Sequence, residues 1–264
     1  KRNYLSMSFE NILFQRSDSL GLITINRPEK HNAISLATLK DLEAAVDMCS
    51  NDEKVKVIGI TGAGEKSFAS GSDLNEVKDR GLRKALEPIV QGLADKMERT
   101  PKPIIAAING ICMGGGLEVA LGCDLRIATP EAVFATPEGK LGIIPGGGAT
   151  ARLPRIVGRG WGMEMLLMGE TISANKALEI GLITRIVPRE DLLREVRDMA
   201  DKLALFAPFV PRTIKAIVNF GMEASLAGAL MFEKYAQGAL VQTEDKQEGI
   251  NAFLEKRPPK FKGK

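Results

Sequence analysis

A single histidine, His31, stands in 264 residues, and that scarcity removes several kinds of chemistry at once. A serine or cysteine nucleophile activated by imidazole would have to use that one residue, and a zinc centre would lack its usual nitrogen ligands. Cysteine is scarce too: Cys49, Cys112 and Cys123 form no C-x-x-C pair, which argues against a disulfide scaffold or thiolate metal site and suits a reducing compartment. Charge of one sign is also missing. With 36 basic against 33 acidic residues the formal net charge is only +3, so the total supplies no strong field for nucleic acid or a membrane surface. No run reaches the roughly twenty apolar residues of a membrane-spanning helix, and the opening KRNYLSMSFE has no apolar signal-peptide core. Met7 is a candidate start, with residues 1–6 either an added leader or the remnant of a removed targeting peptide. Carboxylates are left as the natural acid–base groups.

Hydrophobic residues make up 44% of the chain, enough for an ordinary packed core. Segments 11–16 and 20–27, separated by a polar S-D-S, read as a hairpin that Pro28 stops. An amphipathic helix follows over 34–50. The β-branched run 55–61 reads as a buried strand, residues 73–98 as a helix-rich stretch, and 103–110 as a second buried strand. Then come a sharp glycine turn at 112–116, a short apolar helix at 117–122, and strand-like runs at 123–129 and 132–136. Beyond Gly146 the pattern is mostly helical: 149–158, 161–169 and 173–181, one strand at 182–188, then 190–207, 209–222, 225–242 and 245–257. Alternating strands and helices followed by a helical region predict an α/β core with a helical C-terminal part. No repeat of fixed period is visible, and the tail P-P-K-F-K-G-K reads as a short mobile basic end.

Three glycine-rich stretches invite a ligand. T-G-A-G-E-K-S-F at 61–68 is one residue out of register for a Walker loop, because Glu65 separates Gly64 from Lys66 and Ser67. G-I-C-M-G-G-G-L-E-V-A at 110–120 has Val119 where a dinucleotide fingerprint needs a small residue, and P-G-G-G-A-T-A at 145–151 has no convincing strand before it. Nucleotide readings therefore fail. What F-A-S-G-S-D-L (68–74) and 110–120 share is a strand before and a helix after, so each presents unpaired backbone N–H groups at a helix start. Taken singly each turn is an ordinary strand-to-helix connector; together they could hold one oxyanion. Glu118 is the only charged side chain in L-E-V-A-L-G, so it either faces solvent or lines a site. Glu138, in F-A-T-P-E-G-K, follows a strand and precedes another glycine loop, where catalytic groups are commonly mounted, although acids also favour helix starts for their own sake.

The segments N-R-P-E-K-H-N-A-I-S, S-F-A-S-G-S-D-L, I-N-G-I-C-M-G-G-G-L-E-V-A-L-G-C-D-L-R-I-A, F-A-T-P-E-G-K-L-G-I-I-P-G-G-G-A-T-A-R-L-P-R-I-V-G, I-S-A-N-K-A-L-E-I-G-L-I-T-R-I-V-P and A-F-L-E-K-R, in this order from about Ile12 to Lys262, resemble the crotonase superfamily of enoyl-CoA hydratases and isomerases. The resemblance implies repeated ββα units spiralling into two roughly perpendicular sheets over 7–200, and a helical trimerisation region over 201–264, with a dimer of trimers as a further state. It implies an oxyanion hole from the amides of Ser72 and Gly115, with Ser72 standing where alanine is frequent, and catalytic glutamates at Glu118, activating water, and Glu138, delivering a proton. Lys30, His31, Ser70, Asp73 and Leu74 match positions near coenzyme A, and Phe253 and Lys256 match a C-terminal motif that reaches the coenzyme of a neighbouring subunit; solvated charges are the plain alternative for Lys30, His31 and Lys256. The implied substrate is an acyl-CoA thioester, with no metal or redox cofactor, in a bacterial or archaeal cytoplasm or a mitochondrial matrix. Double-bond isomerisation, a specialised acyl-CoA hydration or dehydration, and RNA binding are alternatives within the family; the near balance of charge gives the last little support.

Overall fold

Residues 9–264 are described by a computed structural model; Met7 and the leader before it lie outside the described residues. Strands β1 (Ile12–Ser17) and β2 (Leu20–Ile25) form the expected antiparallel hairpin, closed at Asp18 and Ser19, with Asp18 at a left-handed φ of 52° that a short Asx residue tolerates. Helix α1 (Leu36–Asn51) begins at Ser35, whose hydroxyl accepts the Thr38 N–H. It buries Leu39, Leu42, Val46 and Cys49, the three-and-four spacing of a core-facing stripe.

Three ββα turns come next. The first is β3 (Val57–Gly62), β4 (Ser67–Ala69) and a helical stretch in three pieces, α2 (Leu74–Lys78), α3 (Leu82–Ala85) and α4 (Ile89–Arg99). The second is β5 (Ile104–Ile108), β6 (Ile111–Met113) and α5 (Gly115–Leu121), and the third β7 (Leu125–Ala128), β8 (Val133–Ala135) and α6 (Ala149–Met168). In each turn the first strand joins one sheet and the second strand joins another. Then follow β9 (Ile172–Ser173), α7 (Ala174–Glu179), β10 (Arg185–Ile186) and the helices α8 (Leu192–Ala204), α9 (Phe209–Gly221), α10 (Leu226–Val241) and α11 (Glu244–Leu254). The six-stranded sheet runs β1-β2-β3-β5-β7-β10 and the four-stranded sheet β4-β6-β8-β9, parallel apart from the β1/β2 and β8/β9 pairs. This is the ββα spiral that the resemblance implies.

Alternation along the central strands divides the core. Ile58, Ile60, Ile104, Ala106 and Ile108 face the main cluster with α1, α4 and α5, while Val57, Ile105 and Ala107 face Leu192, Val196, Met199 and Ala200 of α8. Both faces of the sheet are covered, which is why these strands read as continuous apolar runs.

Several local expectations change. The helix-rich stretch 73–98 breaks at Gly81 and Pro88, which cap the following helices. The two helices expected over 149–158 and 161–169 follow each other directly within α6, parted only at Gly158, whose φ of 79° and ψ of 158° are not helical. Cys112 and Met113 belong to β6 and not to the turn, and the strand expected over 182–188 shrinks to two residues. The tail is not a loose end. The N–H groups of Lys262 and Gly263 donate to the buried Asp245 carboxylate at 2.7 Å each, and the Asp245 N–H donates to Lys264 O at 3.1 Å.

Candidate active site

Strands β4 and β6 are parallel neighbours, so the turns at their C-terminal ends lie side by side. In the first turn Ile34 forms an isolated bridge opposite Ser72: Ile34 N–H donates to Gly71 O and Asp73 N–H to Ile34 O, both at 2.8 Å. That pairing uses the residues on either side of Ser72 and leaves the Ser72 amide directed away from it. In the second turn Gly114, at φ 50°, leads into Gly115, the first residue of α5, whose N–H has no intrahelical partner. A Cβ added at Gly115 would stand 3.3 Å from Ser72 N and 2.8 Å from Ser72 Oγ. Only glycine lets the two backbones come this close. The outcome is a pair of adjacent N–H donors from different strands.

The first turn is laced from below. Arg27 pairs with Asp73 at 3.0 Å and donates to Ala33 O at 2.6 Å, while the Asn32 side chain donates to Ala63 O and Ser67 O and accepts the Arg27 N–H. Asp73 also caps α2 through Asn75 N–H, and its hydrogen bond from Arg27 holds its carboxyl below the usual range.

All seven residues of α5 are buried, Glu118 among them at 3% exposure. Its Oε1 accepts two backbone N–H groups, from Gly147 at 2.6 Å and Ala149 at 3.1 Å. Burial nevertheless dominates and pushes its pKa up to about 7; the two amides and Arg152 oppose that rise and the Glu138 charge adds to it. Glu138 sits in the 3-10 turn Pro137–Leu141 that follows β8. A Cβ on Gly114 would approach its Oε1 to 3.0 Å, which puts the carboxyl against the glycine turn. Burial raises the Glu138 pKa as well. Among the described residues no donor reaches its buried Oε2. Two carboxyls with raised proton affinity thus flank two unpaired amides, an arrangement able to stabilise a developing oxyanion while moving protons. Among the described residues no group of three or more His, Cys, Asp or Glu side chains could hold a metal ion.

The remaining predicted residues divide into two sets. Lys30 and His31 are exposed on the 3-10 turn Pro28–Lys30 and its C-cap, and His31 O accepts the Ser70 N–H at 3.1 Å, so they adjoin the Ser70–Leu74 turn. Leu74 is exposed, and the Asp73 carboxylate is engaged by Arg27 and α2. Phe253, 83% exposed, and Lys256 lie at the end of α11, whose packing partner is α10. Hydrogen bonds do not join them to the Lys30–His31 turn among the described residues. The sequence reading missed Gly147 and Ala149, the donors to Glu118. Their signal was the stretch 145–151, weighed there only against a dinucleotide fingerprint.

Residues 15–264 match the family described as enoyl-CoA hydratase/isomerase. The chain is 39% identical over 257 residues to the crotonyl-CoA hydratase of Syntrophomonas wolfei, covering 97% of this chain and 99% of that protein. It is 37% identical over 253 residues to the short-chain-enoyl-CoA hydratase of Clostridium acetobutylicum, covering 95% and 97%. The crystal structure of an enoyl-CoA hydratase from Bacillus anthracis superposes with a TM-score of 0.93 at 36% identity, covering 97% of this chain and all of that one.

Proposed function

Because the chain belongs to the enoyl-CoA hydratase/isomerase family, we propose that it is a hydro-lyase that adds water reversibly across the C2=C3 bond of a 2-enoyl-CoA thioester. The thioester carbonyl accepts from the Ser72 and Gly115 amides, and the charge gathering on that oxygen as the enolate forms is what those donors stabilise. Glu118 takes a proton from water as its oxygen bonds to C3, and Glu138 gives a proton to C2 as the enolate collapses; dehydration reverses the roles. Coenzyme A enters as part of the substrate, with Lys30, His31, Ser70, Asp73 and Leu74 on the binding side, and the reaction needs no metal or redox cofactor.

The observation that carries the reading is the pair of buried carboxyls of raised proton affinity at one glycine turn. Isomerisation needs a single carboxyl to carry a proton across the enolate, so the second one, Glu118, favours hydration. Helix α10 buries none of its residues in its own chain and exposes Leu226, Leu230, Met231 and Tyr235; the same reading makes it a contact between copies in a trimer or dimer of trimers, with Phe253 and Lys256 then reaching a neighbour's coenzyme. Three buried free cysteines suit a reducing compartment, bacterial or archaeal cytoplasm or mitochondrial matrix.

The test is loss of the conjugated enoyl-thioester absorbance of crotonyl-CoA. Rapid loss is expected in the parent, with Glu118→Gln and Glu138→Gln each slower by about a hundredfold or more. A parent that neither turns over nor binds the ester refutes the reading of the two amides.

A further inference from the structure

One side chain links helix α4 to the turn that holds Glu118. Arg152, on α6, donates from Nη1 to Gly147 O at 3.2 Å, and the N–H of that same Gly147 donates to Glu118 Oε1 at 2.6 Å. The rest of its guanidinium fork is filled from α4: Nε and Nη2 donate to Glu98 at 2.6 and 3.0 Å, and Nη2 donates to Asp95 at 2.5 Å. Gly148, at φ 106°, lies directly beneath the guanidinium, since a Cβ there would stand 2.0 Å from Nη1. Val90, also on α4, closes the other side of the turn: its Cγ1 and Glu118 Oε2 would lie 2.6 and 2.5 Å from a Cβ on Gly147. An ion pair serving stability alone would need no contact with the Gly147 carbonyl, and a planar five-donor fork is the group able to meet two carboxylates and a carbonyl together.

We propose that Arg152 is a positioning residue for hydration, holding the Gly147–Ala149 amides on Glu118 from an anchor on α4; this rests on the hydratase reading. The charged groups facing Glu118 are Glu138, from the turn after β8, and Arg152, from α6. On α4, Val90 is the neighbour, and Asp95 and Glu98 reach as far as Arg152. Removing Arg152 therefore acts in two ways. The turn loses its anchor, which lowers kcat, and Glu118 loses a nearby positive charge, which raises its proton affinity.

The experiment compares Arg152→Met, Arg152→Lys and Glu98→Gln with the parent, and uses Lys96→Met, which breaks an exposed pair between Lys96 of α4 and Asp47 of α1, as the control for disturbing α4. In Arg152→Met, kcat for crotonyl-CoA should fall about tenfold or more with little change in KM, and the rising limb of its pH profile should move to higher pH. Arg152→Lys should keep the limb near its parent position while recovering only part of kcat, because the charge returns without the fork. Lys96→Met should match the parent. Glu98→Gln keeps the charge and loosens the fork, so it carries the kcat test if Arg152→Met does not fold. An unshifted limb, a fall confined to KM, or an equal fall in Lys96→Met overturns the proposal. The infrared carboxyl band identified by difference against Glu118→Gln reads Glu118 protonation without turnover, and its titration should move upward in Arg152→Met and stay in place in Arg152→Lys. A parent inactive on enoyl-CoA esters would sink the hydratase reading, whereas an active parent with an unmoved Glu118 titration would sink this inference alone.

Discussion

Glu118→Gln should make the protein more stable while it removes activity, and the size of the gain follows from the burial of that carboxyl. The unfolded chain releases the Glu118 proton near the ordinary 4.5, but the folded chain holds it up to about 7. Between those values the folded state binds more protons than the unfolded state, so stability is greatest below 4.5, falls as pH rises through the window, and levels off above 7. Each unit of pKa difference is worth about 1.4 kcal/mol, so the fully ionised carboxyl weakens the fold by about 3 kcal/mol at pH 8 and by about 1 kcal/mol or less at pH 5. The variant has no charge to bury, and its amide oxygen can still accept the Gly147 and Ala149 N–H groups that Glu118 Oε1 accepts now. Against that gain stands the desolvation of one new amide donor, about 1 kcal/mol. A net gain of about 2 kcal/mol at pH 8 corresponds to roughly 4–8 °C in Tm for a chain of this size. Urea titrations and thermal scans of parent and variant at pH 5, 6.5 and 8, at one fixed protein concentration because association shifts Tm, read the gap. A variant no more stable than the parent at pH 8, or a gap that does not shrink toward pH 5, refutes the assignment of Glu118 as a buried carboxyl of raised pKa.

Two further substitutions test the supports of the site and of the fold separately. Gly147→Ala inserts a Cβ at 2.5 Å from Glu118 Oε2 and 2.6 Å from Val90 Cγ1; kcat for crotonyl-CoA should drop by about a hundredfold and stability by about 1–3 kcal/mol, and parent-like kinetics would show that the turn is not tight against the carboxyl. Lys215 on α9, 7% exposed in its side chain, pairs with Asp124 at 2.8 Å and donates to Met97 O and Lys102 O. Lys215→Met leaves that carboxylate and both carbonyls without their cation, and urea unfolding should show a loss of about 3 kcal/mol or more, with kcat of the folded fraction unchanged.

How much of this was legible depended on whether a residue advertised itself by contrast. Glu118 did, as the one charge in L-E-V-A-L-G, and burial of all of α5 is the reason. Strands β3 and β5 of the six-stranded sheet did so too, because a sheet covered on both faces demands unbroken apolar runs. In the four-stranded sheet only β8 did, within the strand-like run 132–136. Strands β4 and β6 have three residues each and β9 has two, too short to display a period of two. Glu138 carried no such contrast: an acid after proline at a helix start is unremarkable by itself, and only the order of motifs singled it out. The Gly147 and Ala149 donors to Glu118 were hidden, and those of Ser72 and Gly115 showed only as glycine turns, for a more basic reason. Backbone N–H groups of Ser72, Gly115, Gly147 and Ala149 have no side-chain signature, and the sequence could mark them only by leaving side chains off at two of the four positions, Gly115 and Gly147. The tail was misread because its anchor, Asp245, lies some seventeen residues away on a helix whose partner cannot be guessed from composition.

The short strands also explain why the site is where it is. Each ββα turn adds one strand to the second sheet, in the order β4, β6, β8, and the chain leaving each strand delivers one component. Ser72 follows β4, Gly115 and Glu118 follow β6, and Glu138 follows β8. Parallel neighbours in a sheet are about 4.8 Å apart, so three consecutive repeats bring an amide, an amide with a carboxyl, and a second carboxyl close together, which are the components of the proposed site. The third repeat then returns along Gly147 and Ala149 to clamp the carboxyl contributed by the second. Each component therefore depends on the register of a strand other than its own. Loosening β8 against β6 would displace Glu138 from Gly114 without altering any residue near Ser72, and for that reason the fold, rather than any one loop, sets the distance between the proposed proton carriers and the proposed oxyanion donors.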